Sequence, residues 1–173
     1  VPCVLIIDEI NRAKLSSVFG ELMYCLEYRD KPVRLAANGI MFKIPENLYL
    51  IGTMNTADRS IALVDHALRR RFYFIQLQPE YEILRSHLMA KGYDADSLVN
   101  VLKEINNFIG DSNYELGISF FMSNQSNLKE LLPAIWKGEV EPYLQELLYD
   151  QPQKVANFKW EKLAEDKLKV WVS

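Results

Sequence analysis

The sequence predicts an α/β fold in which a core of parallel strands is followed by an all-helical region. Three observations predict it. Residues 4–7 and 48–51 are apolar runs that end in polar turns, and from residue 79 onward apolar residues recur at helical spacing. Continuous aliphatic runs are typical of strands buried on both faces of a parallel sheet. We therefore expect two domains, residues 1–78 and residues 79–173.

The first predicted strand, residues 4–7, leads directly into Asp8 and Glu9. Its end lies at the carboxyl edge of the sheet, where α/β proteins bind ligands. In a nucleotide hydrolase one carboxylate there helps to hold Mg²⁺, and the next orients or polarises an attacking water. Asp8 fits the first role and Glu9 the second. Taken alone, the pair is equally consistent with a solvated acidic turn.

The second predicted strand, residues 48–51, precedes a polar turn that contains Asn55 and Asp58. The carboxyl ends of parallel strands meet at one edge of a sheet, so this turn is expected to lie beside Asp8 and Glu9. Two strands would then bring polar groups to one place. This arrangement favours a ligand site over a solvated turn.

Three arginines, Arg69, Arg70 and Arg71, end a helix predicted over residues 62–71 and lead into a third core strand predicted over residues 72–77. A guanidinium group stays charged and presents a planar fork to phosphate oxygens. The helix dipole also favours arginine at a helix C-terminus, and we prefer that explanation for Arg69.

Two further elements are predicted between the first two strands. Apolar residues recur at helical spacing over residues 15–26, which predicts a helix packed on the sheet. Residues 33–44 alternate between apolar and polar around Asn38 and Gly39, a pattern typical of a tight hairpin.

The region after residue 79 is expected to be helical throughout. Residues 98–109 have a clear apolar stripe, and further helices are predicted over residues 127–137 and 140–149. Trp160 and Trp171 are expected to pack inside this region.

These motifs resemble, in kind and order, the second half of an AAA+ nucleoside triphosphatase core. Asp8 and Glu9 stand where that superfamily has its Walker B motif, Asn55 at sensor 1 and Arg70 at the arginine finger. The residues within the motifs are similar to those of the McrB-like branch, the GTP-hydrolysing motor subunits of modification-dependent restriction systems. The segments that carry this closer resemblance are Ile7-Asp8-Glu9-Ile10-Asn11-Arg12, Gly52-Thr53-Met54-Asn55-Thr56-Ala57-Asp58-Arg59-Ser60 and Ala67-Leu68-Arg69-Arg70-Arg71-Phe72.

The resemblance implies a role for each residue at the sheet edge. Asp8 would support the Mg²⁺ shell, directly or through water, and Glu9 would activate the attacking water. Asn55 would help to position that water near the γ-phosphate. Asp58 completes the Met-Asn-Thr-Ala-Asp signature of the family and belongs to the nucleotide-binding set. A guanine-reading role for this signature is not expected, because a base reader should not lie beside the γ-phosphate sensor.

The resemblance also implies contacts between subunits. Arg70 and Arg71 match positions that reach a neighbour's nucleotide, and such an arginine can accelerate hydrolysis by about 10³ to 10⁵. Arg12 either bridges subunits, as part of the nucleotide-binding set, or pairs with a nearby acid. The predicted hairpin lies where this family has insertions that face the pore or a partner, although a surface hairpin without contacts is equally consistent.

The chain contains no Gly-x-x-x-x-Gly-Lys-Ser/Thr sequence, the loop that cradles phosphates. The resemblance places that loop upstream of residue 1. We therefore expect a fragment that alone binds nucleotide poorly and hydrolyses none at a useful rate. We expect the full-length parent protein to form a homo-oligomeric ring, specifically a hexamer. It would hydrolyse GTP, or ATP, with Mg²⁺ and drive a McrC-like endonuclease subunit, with DNA bound through other domains.

Composition excludes several other classes. The net charge of −3, with no basic arm, argues against a principal DNA-binding module. Cys3 and Cys25 are expected to be buried free thiols, which suits the cytoplasm. His66 and His87 lie in no metal-ligand pattern. No apolar stretch reaches the length of about 18 residues that spans a membrane.

Two alternatives to the McrB-like motor remain open from the sequence. A MoxR-like or dynein-related AAA+ ATPase that remodels proteins would use the same carboxylates and arginines. A non-catalytic assembly module is the other alternative. It has no need of the set formed by Asp8, Glu9, Asn55 and the two arginines.

Overall fold

The chain forms two compact units, Val1–Gln76 and Leu77–Ser173. A computed structural model describes residues 1–12, 20–55, 69–122 and 127–172. The first unit is mixed α/β and the second is helical.

Within its described ranges the first unit contains four strands, a helix and a short 3₁₀ turn at Ile10–Arg12. The strands are β1 (Cys3–Ile7), β2 (Val33–Arg34), β3 (Met41–Phe42) and β4 (Leu48–Gly52), and helix α1 is Leu22–Glu27. Strands β1 and β4 pair in parallel, in a register that sets Cys3 beside Leu48 and Ile7 beside Gly52. The first two predicted strands and their parallel direction are confirmed.

The prediction that the first strand is buried on both faces is wrong. Val4, Leu5 and Ile6 are 56%, 47% and 65% exposed. Burial of a parallel strand requires helices over both faces of a larger sheet. Among the described residues, β1 pairs with β4 alone.

The predicted third core strand over residues 72–77 is also wrong, because these residues form no strand. Tyr73 and Leu77 are each 91% exposed. An extended segment becomes part of a sheet only when its N–H and C=O groups pair with a neighbouring strand. The described residues pair this segment with no strand.

The predicted hairpin is confirmed. Strands β2 and β3 pair antiparallel, with Arg34 opposite Met41. The N–H of Leu35 then donates to the carbonyl oxygen of Ile40 at 2.9 Å, which closes a four-residue loop. Gly39 has a φ of 71°, in the left-handed region that glycine adopts without a steric penalty.

The helix predicted over residues 15–26 is described only in its second half, because residues 13–19 lie outside the described ranges. Cys25 in α1 is buried, as expected, and burial raises the pKa of its thiol. The same expectation for Cys3 is wrong. Cys3 is exposed on β1, for the reason that exposes the rest of that strand.

The second unit is a set of helices. They are α2 (Tyr81–Ala90), α3 (Ala95–Ile109), α4 (Leu128–Ile135), a π-helical turn (Trp136–Val140), α5 (Glu141–Leu147), α6 (Pro152–Val155) and α7 (Trp160–Asp166). Short 3₁₀ turns lie at Ile118–Phe121, Ala156–Phe158 and Lys169–Trp171. The predicted stripe over residues 98–109 is confirmed, because its apolar residues line the core.

Large aromatic side chains fill this helical core. Trp136 is fully buried, and its indole Nε1 donates to the carbonyl oxygen of Phe158 at 2.8 Å. Trp160 and Trp171 are 7% and 3% exposed, so the prediction that they pack in the core is confirmed. Since buried indole N–H groups need acceptors, Trp171 donates to Ser97 Oγ at 3.0 Å. No helix within the described ranges is long and apolar enough to cross a membrane.

Candidate active site

The polar turns that follow β1 and β4 lie together at one edge of the parallel pair. The N–H of Thr53 donates to the carbonyl oxygen of Ile7 at 3.0 Å, and the N–H of Ile10 donates to the carbonyl oxygen of Thr53 at 2.9 Å. The parallel pairing thus continues past both strands. It brings Asp8 and Glu9 beside the segment that leads to Asn55.

The hydroxyl group of Thr53 joins the two carboxylate residues. Its Oγ1 accepts a hydrogen bond of 3.1 Å from the backbone N–H of Glu9 and donates to Asp8 Oδ1. A hydroxyl group can do both at once, because it has one proton and two lone pairs. The bond to the carboxylate is of the stronger, charge-assisted kind.

Glu9 has an unusual backbone conformation. Its φ is +50°, which is uncommon for a residue with a side chain and unfavourable by about 1–2 kcal/mol. The turn is held there by its amides, because the N–H groups of Glu9 and Ile10 both donate to Thr53. Such conformations persist where the surrounding contacts over-determine them.

Arg12 pairs with Glu9, three residues before it in sequence, through Nε and Oε2. This favours the second of the two expectations for Arg12, a pair with a nearby acid. The Arg12 side chain is 65% exposed and that of Glu9 41%. A pair this exposed contributes about 1 kcal/mol or less, so it can be exchanged readily for another partner.

Asn11 connects the turn that follows β1 to the segment that follows β4. Its side chain Nδ2 donates to the carbonyl oxygen of Asn55 at 3.1 Å, and the residue is only 6% exposed. Asn11 is one of two buried polar residues within the described ranges. A buried amide bonded to the backbone fixes the path of that backbone.

Most of the helix predicted over residues 62–71 lies outside the described residues, and the three arginines that were predicted to end it differ in their surroundings. Arg71 pairs with Glu27, the last residue of α1, and its side chain is only 15% exposed. Arg70 is exposed. The guanidinium carbon of Arg69 lies 5.9 Å from the centre of the Phe74 ring. The structure therefore separates an arginine with an intramolecular partner from one that faces solvent.

The donor set at the edge fits Mg²⁺ held together with a nucleotide. Asp8 is exposed, and Thr53 occupies one of its carboxylate oxygens, which leaves Oδ2 for the ion or its water. The described part of the chain contains no cluster of three or more His, Cys, Asp or Glu side chains. Mg²⁺ commonly uses one or two carboxylates plus water and substrate phosphates, and needs no such cluster.

Two family profiles match the chain. Residues 2–72 match the AAA domain of the dynein-related subfamily, and residues 97–156 match the α-helical lid domain of McrB. The chain belongs to the McrB-like AAA+ family. Its parallel strands and its helical unit are therefore part of an AAA core and a lid.

Two curated relatives agree with this membership. The EcoKMcrB subunit of a type IV methyl-directed restriction enzyme from Escherichia coli K12 is 37% identical over an alignment 173 positions long. The alignment covers 87% of this chain and 38% of the relative. The YdiS component of the type II restriction enzyme BsuMI from Bacillus subtilis 168 is 40% identical over 93 positions, 44% of this chain and 27% of the relative. The chain thus spans well under half of either relative.

Most of the predicted site residues of this McrB-like chain lie in two places, the sheet edge and the segment that contains Arg70 and Arg71. Asp8, Glu9 and the backbone of Asn55 lie at the sheet edge, with Arg12 beside Glu9. Asp58 lies outside the described residues.

Three residues at this site were missed by the sequence prediction: Thr53, Asn11 and Glu27. For Thr53 a signal was available, since parallel pairing of the two runs sets the residue after β4 next to the residue after β1. Asn11 lies in one of the motifs quoted above but was given no role, and nothing in the sequence singled out Glu27; the partner of each is 44 positions away.

Proposed function

We propose that this chain is part of a McrB-like AAA+ motor that hydrolyses GTP and drives a restriction endonuclease subunit on modified DNA. The observation that carries the proposal is the meeting of Asp8 and Glu9 with the segment Thr53 to Asn55 at one sheet edge. A purely structural module has no need for carboxylates held beside a sensor asparagine. Both relatives are restriction enzyme components, which supports this setting.

Each residue has a separate task in this proposal. Asp8 holds the Mg²⁺ shell, and Mg²⁺ when bound neutralises charge on the phosphate oxygens. Glu9 accepts a proton from the attacking water, for which it must exchange its exposed pair with Arg12 for the water. Asn55 positions that water. Asp58 belongs to the nucleotide-binding signature.

Arg70 is the residue we propose as the arginine finger. It is exposed and can reach a neighbouring subunit, whereas Arg71 pairs with Glu27 inside its own unit. Arg71 then holds the segment that presents Arg70. The site is complete only in a ring, a hexamer in this proposal, in which each subunit lends Arg70 to the next.

The test is turnover of GTP and ATP by the full-length protein that contains this chain, with Mg²⁺ and its endonuclease partner. Glu9→Gln, Asn55→Ala and Arg70→Ala should each lower GTP turnover at least about 100-fold, the scale of loss of a water-activating or charge-stabilising group. A preference for ATP would instead favour a protein-remodelling ATPase. No turnover with either nucleotide would favour an assembly module.

A further inference from the structure

We propose that Thr53 is a positioning residue for nucleotide hydrolysis, because its hydroxyl group fixes Asp8 and Glu9 relative to each other. This inference rests on the proposed function. The residue touches neither nucleotide nor metal in this role and acts through the two carboxylate residues.

The direction of each hydrogen bond follows from the groups involved. A backbone N–H can only donate, so Thr53 Oγ1 accepts from Glu9 at 3.1 Å. The hydroxyl proton is then available for Asp8, and the contact to Asp8 Oδ1 is made by that proton. The side chain of Thr53, just after β4, thus fixes the orientation of the Asp8 side chain and the position of the Glu9 backbone.

The backbone of Thr53 reinforces the same arrangement. Its N–H and C=O groups bond to Ile7 and Ile10, the residues on either side of Asp8 and Glu9. These two bonds are independent of the side chain and would survive a substitution. The hydroxyl group therefore adds only the two contacts that reach Asp8 Oδ1 and the Glu9 amide.

Those two contacts concern the atoms on which hydrolysis depends. Without the hydroxyl group Asp8 can rotate, so the oxygen that faces the ion is no longer fixed. Glu9 loses an amide partner in a turn with a φ of +50°, so its side chain starts from a less defined position. A displacement of about 1 Å at a reacting group can lower a rate about 100-fold.

The test compares Thr53→Val with Thr53→Ser in the full-length protein. Valine keeps the size and branching of threonine and removes the hydroxyl group, whereas serine keeps the hydroxyl group and removes the methyl group. Thr53→Val should lower kcat about 10- to 100-fold, since it loses positioning and keeps the carboxylates. It should raise the Mg²⁺ concentration for half-maximal rate several-fold, with KM for nucleotide within about 2-fold. Thr53→Ser should recover most of kcat.

A double-variant cycle identifies the path of the effect. Because Thr53 is proposed to act through both carboxylate residues, Thr53→Val should change the residual rate of the Asp8→Asn/Glu9→Gln variant by less than about 3-fold, since residues that act as a unit are not additive. Additive losses would overturn the inference. So would wild-type kcat and Mg²⁺ dependence in Thr53→Val.

Folding and the proposed function are controlled separately. Nucleotide binding and thermal unfolding are measured for every variant, and Thr53→Ala replaces Thr53→Val if the latter does not bind. If both hydroxyl-free variants fail to bind nucleotide, Thr53 is structural and the inference is overturned. If Glu9→Gln itself leaves turnover intact, the proposed function fails. If Glu9→Gln abolishes turnover and Thr53→Val does not affect it, the Thr53 inference alone fails.

Discussion

The buried side chain of Asn11 donates a hydrogen bond of 3.1 Å to the backbone carbonyl oxygen of Asn55. Asn11, in the turn after β1, thereby fixes the backbone of the segment in which we propose that Asn55 positions the attacking water. Asn11→Ala should lower turnover in the full-length protein about 10-fold, because the backbone at Asn55 loses its tether, with a loss of about 1 kcal/mol in stability. Steady-state kinetics and thermal unfolding measure both. Asn107→Ala, at an exposed asparagine, is the control, and equal kinetics in the two variants would contradict the tether.

Gly52, the last residue of β4, lies close against the side chain of Ile10. A Cβ atom there would lie 3.1 Å from Cδ1 and 3.2 Å from Cγ2 of Ile10. Gly52→Ala should therefore displace Ile10 in the turn after Glu9, destabilising the protein by about 1–3 kcal/mol and lowering turnover. Chemical denaturation and kinetics are the measurements.

The cause of the Gly52→Ala effect can be tested by making room. Gly52→Ala combined with Ile10→Ala should be more stable than the sum of the two single changes predicts, because the clash is gone. Gly138→Ala is the matched control, since a Cβ atom at Gly138 meets nothing within 4 Å. Strict additivity would show that the contact with Ile10 is not the cause.

The proposed role of Arg70 as an arginine finger, at an exposed position, predicts that it acts on a neighbour's nucleotide. Rings made only of Arg70→Ala or only of Glu9→Gln subunits should be inactive. A mixture should recover measurable turnover, because a site with intact Glu9 can receive Arg70 from the adjacent subunit. Mixing Glu9→Gln with Glu9→Gln/Arg70→Ala is the control and should recover nothing. An inactive first mixture, in rings shown to contain both subunits, would place Arg70 in its own subunit's site.

The pair between Arg71 and Glu27 predicts a contribution to stability. Arg71→Ala should lower stability by about 1–3 kcal/mol, because a mostly buried guanidinium with a charged partner is lost. Arg70→Ala, at an exposed position, should change it by less than about 0.5 kcal/mol. Denaturant unfolding of the two variants compares them directly. Equal effects would mean that burial does not separate the two arginines.

Glu161 in α7 predicts that the stability of the helical unit depends on pH. Its carboxylate lies 2.6 Å from Lys137 Nζ, and the hydrogen bond from Lys137 lowers the pKa of Glu161 below its ordinary value of 4.5. The contribution is fully present above pH 4.5 and is lost as pH falls through the lower pKa of the folded state. The stability difference between wild type and Glu161→Gln should therefore shrink below pH 4.5.

Hydrogen exchange at the amides of Trp160–Asp166, measured at several pH values, reports this difference locally. Glu165→Gln, an exposed change on the same helix, is the control and should show no such trend. A difference between wild type and Glu161→Gln that stays constant from pH 7 to well below 4.5 would rule out this ion pair as the cause.

The sequence by itself determined the two strands, the hairpin and the helical region. Residues 4–7 and 48–51 are aliphatic runs, and the Asn38-Gly39 pair closes a turn wherever it lies between alternating segments. These features depend on neighbours along the chain. The adjacent residues Asp8 and Glu9 identify the edge for the same reason, because the end of a strand is set by its own sequence.

Only the tertiary structure decided which groups touch one another. Thr53 contacts Asp8, and Asn11 contacts Asn55, across 45 and 44 positions respectively, because the register of β1 on β4 aligns them. Burial was decided in the same way. Val4 lies in an aliphatic run and is nevertheless exposed. An apolar strand favours burial, but it is buried only where helices or other strands pack on its faces.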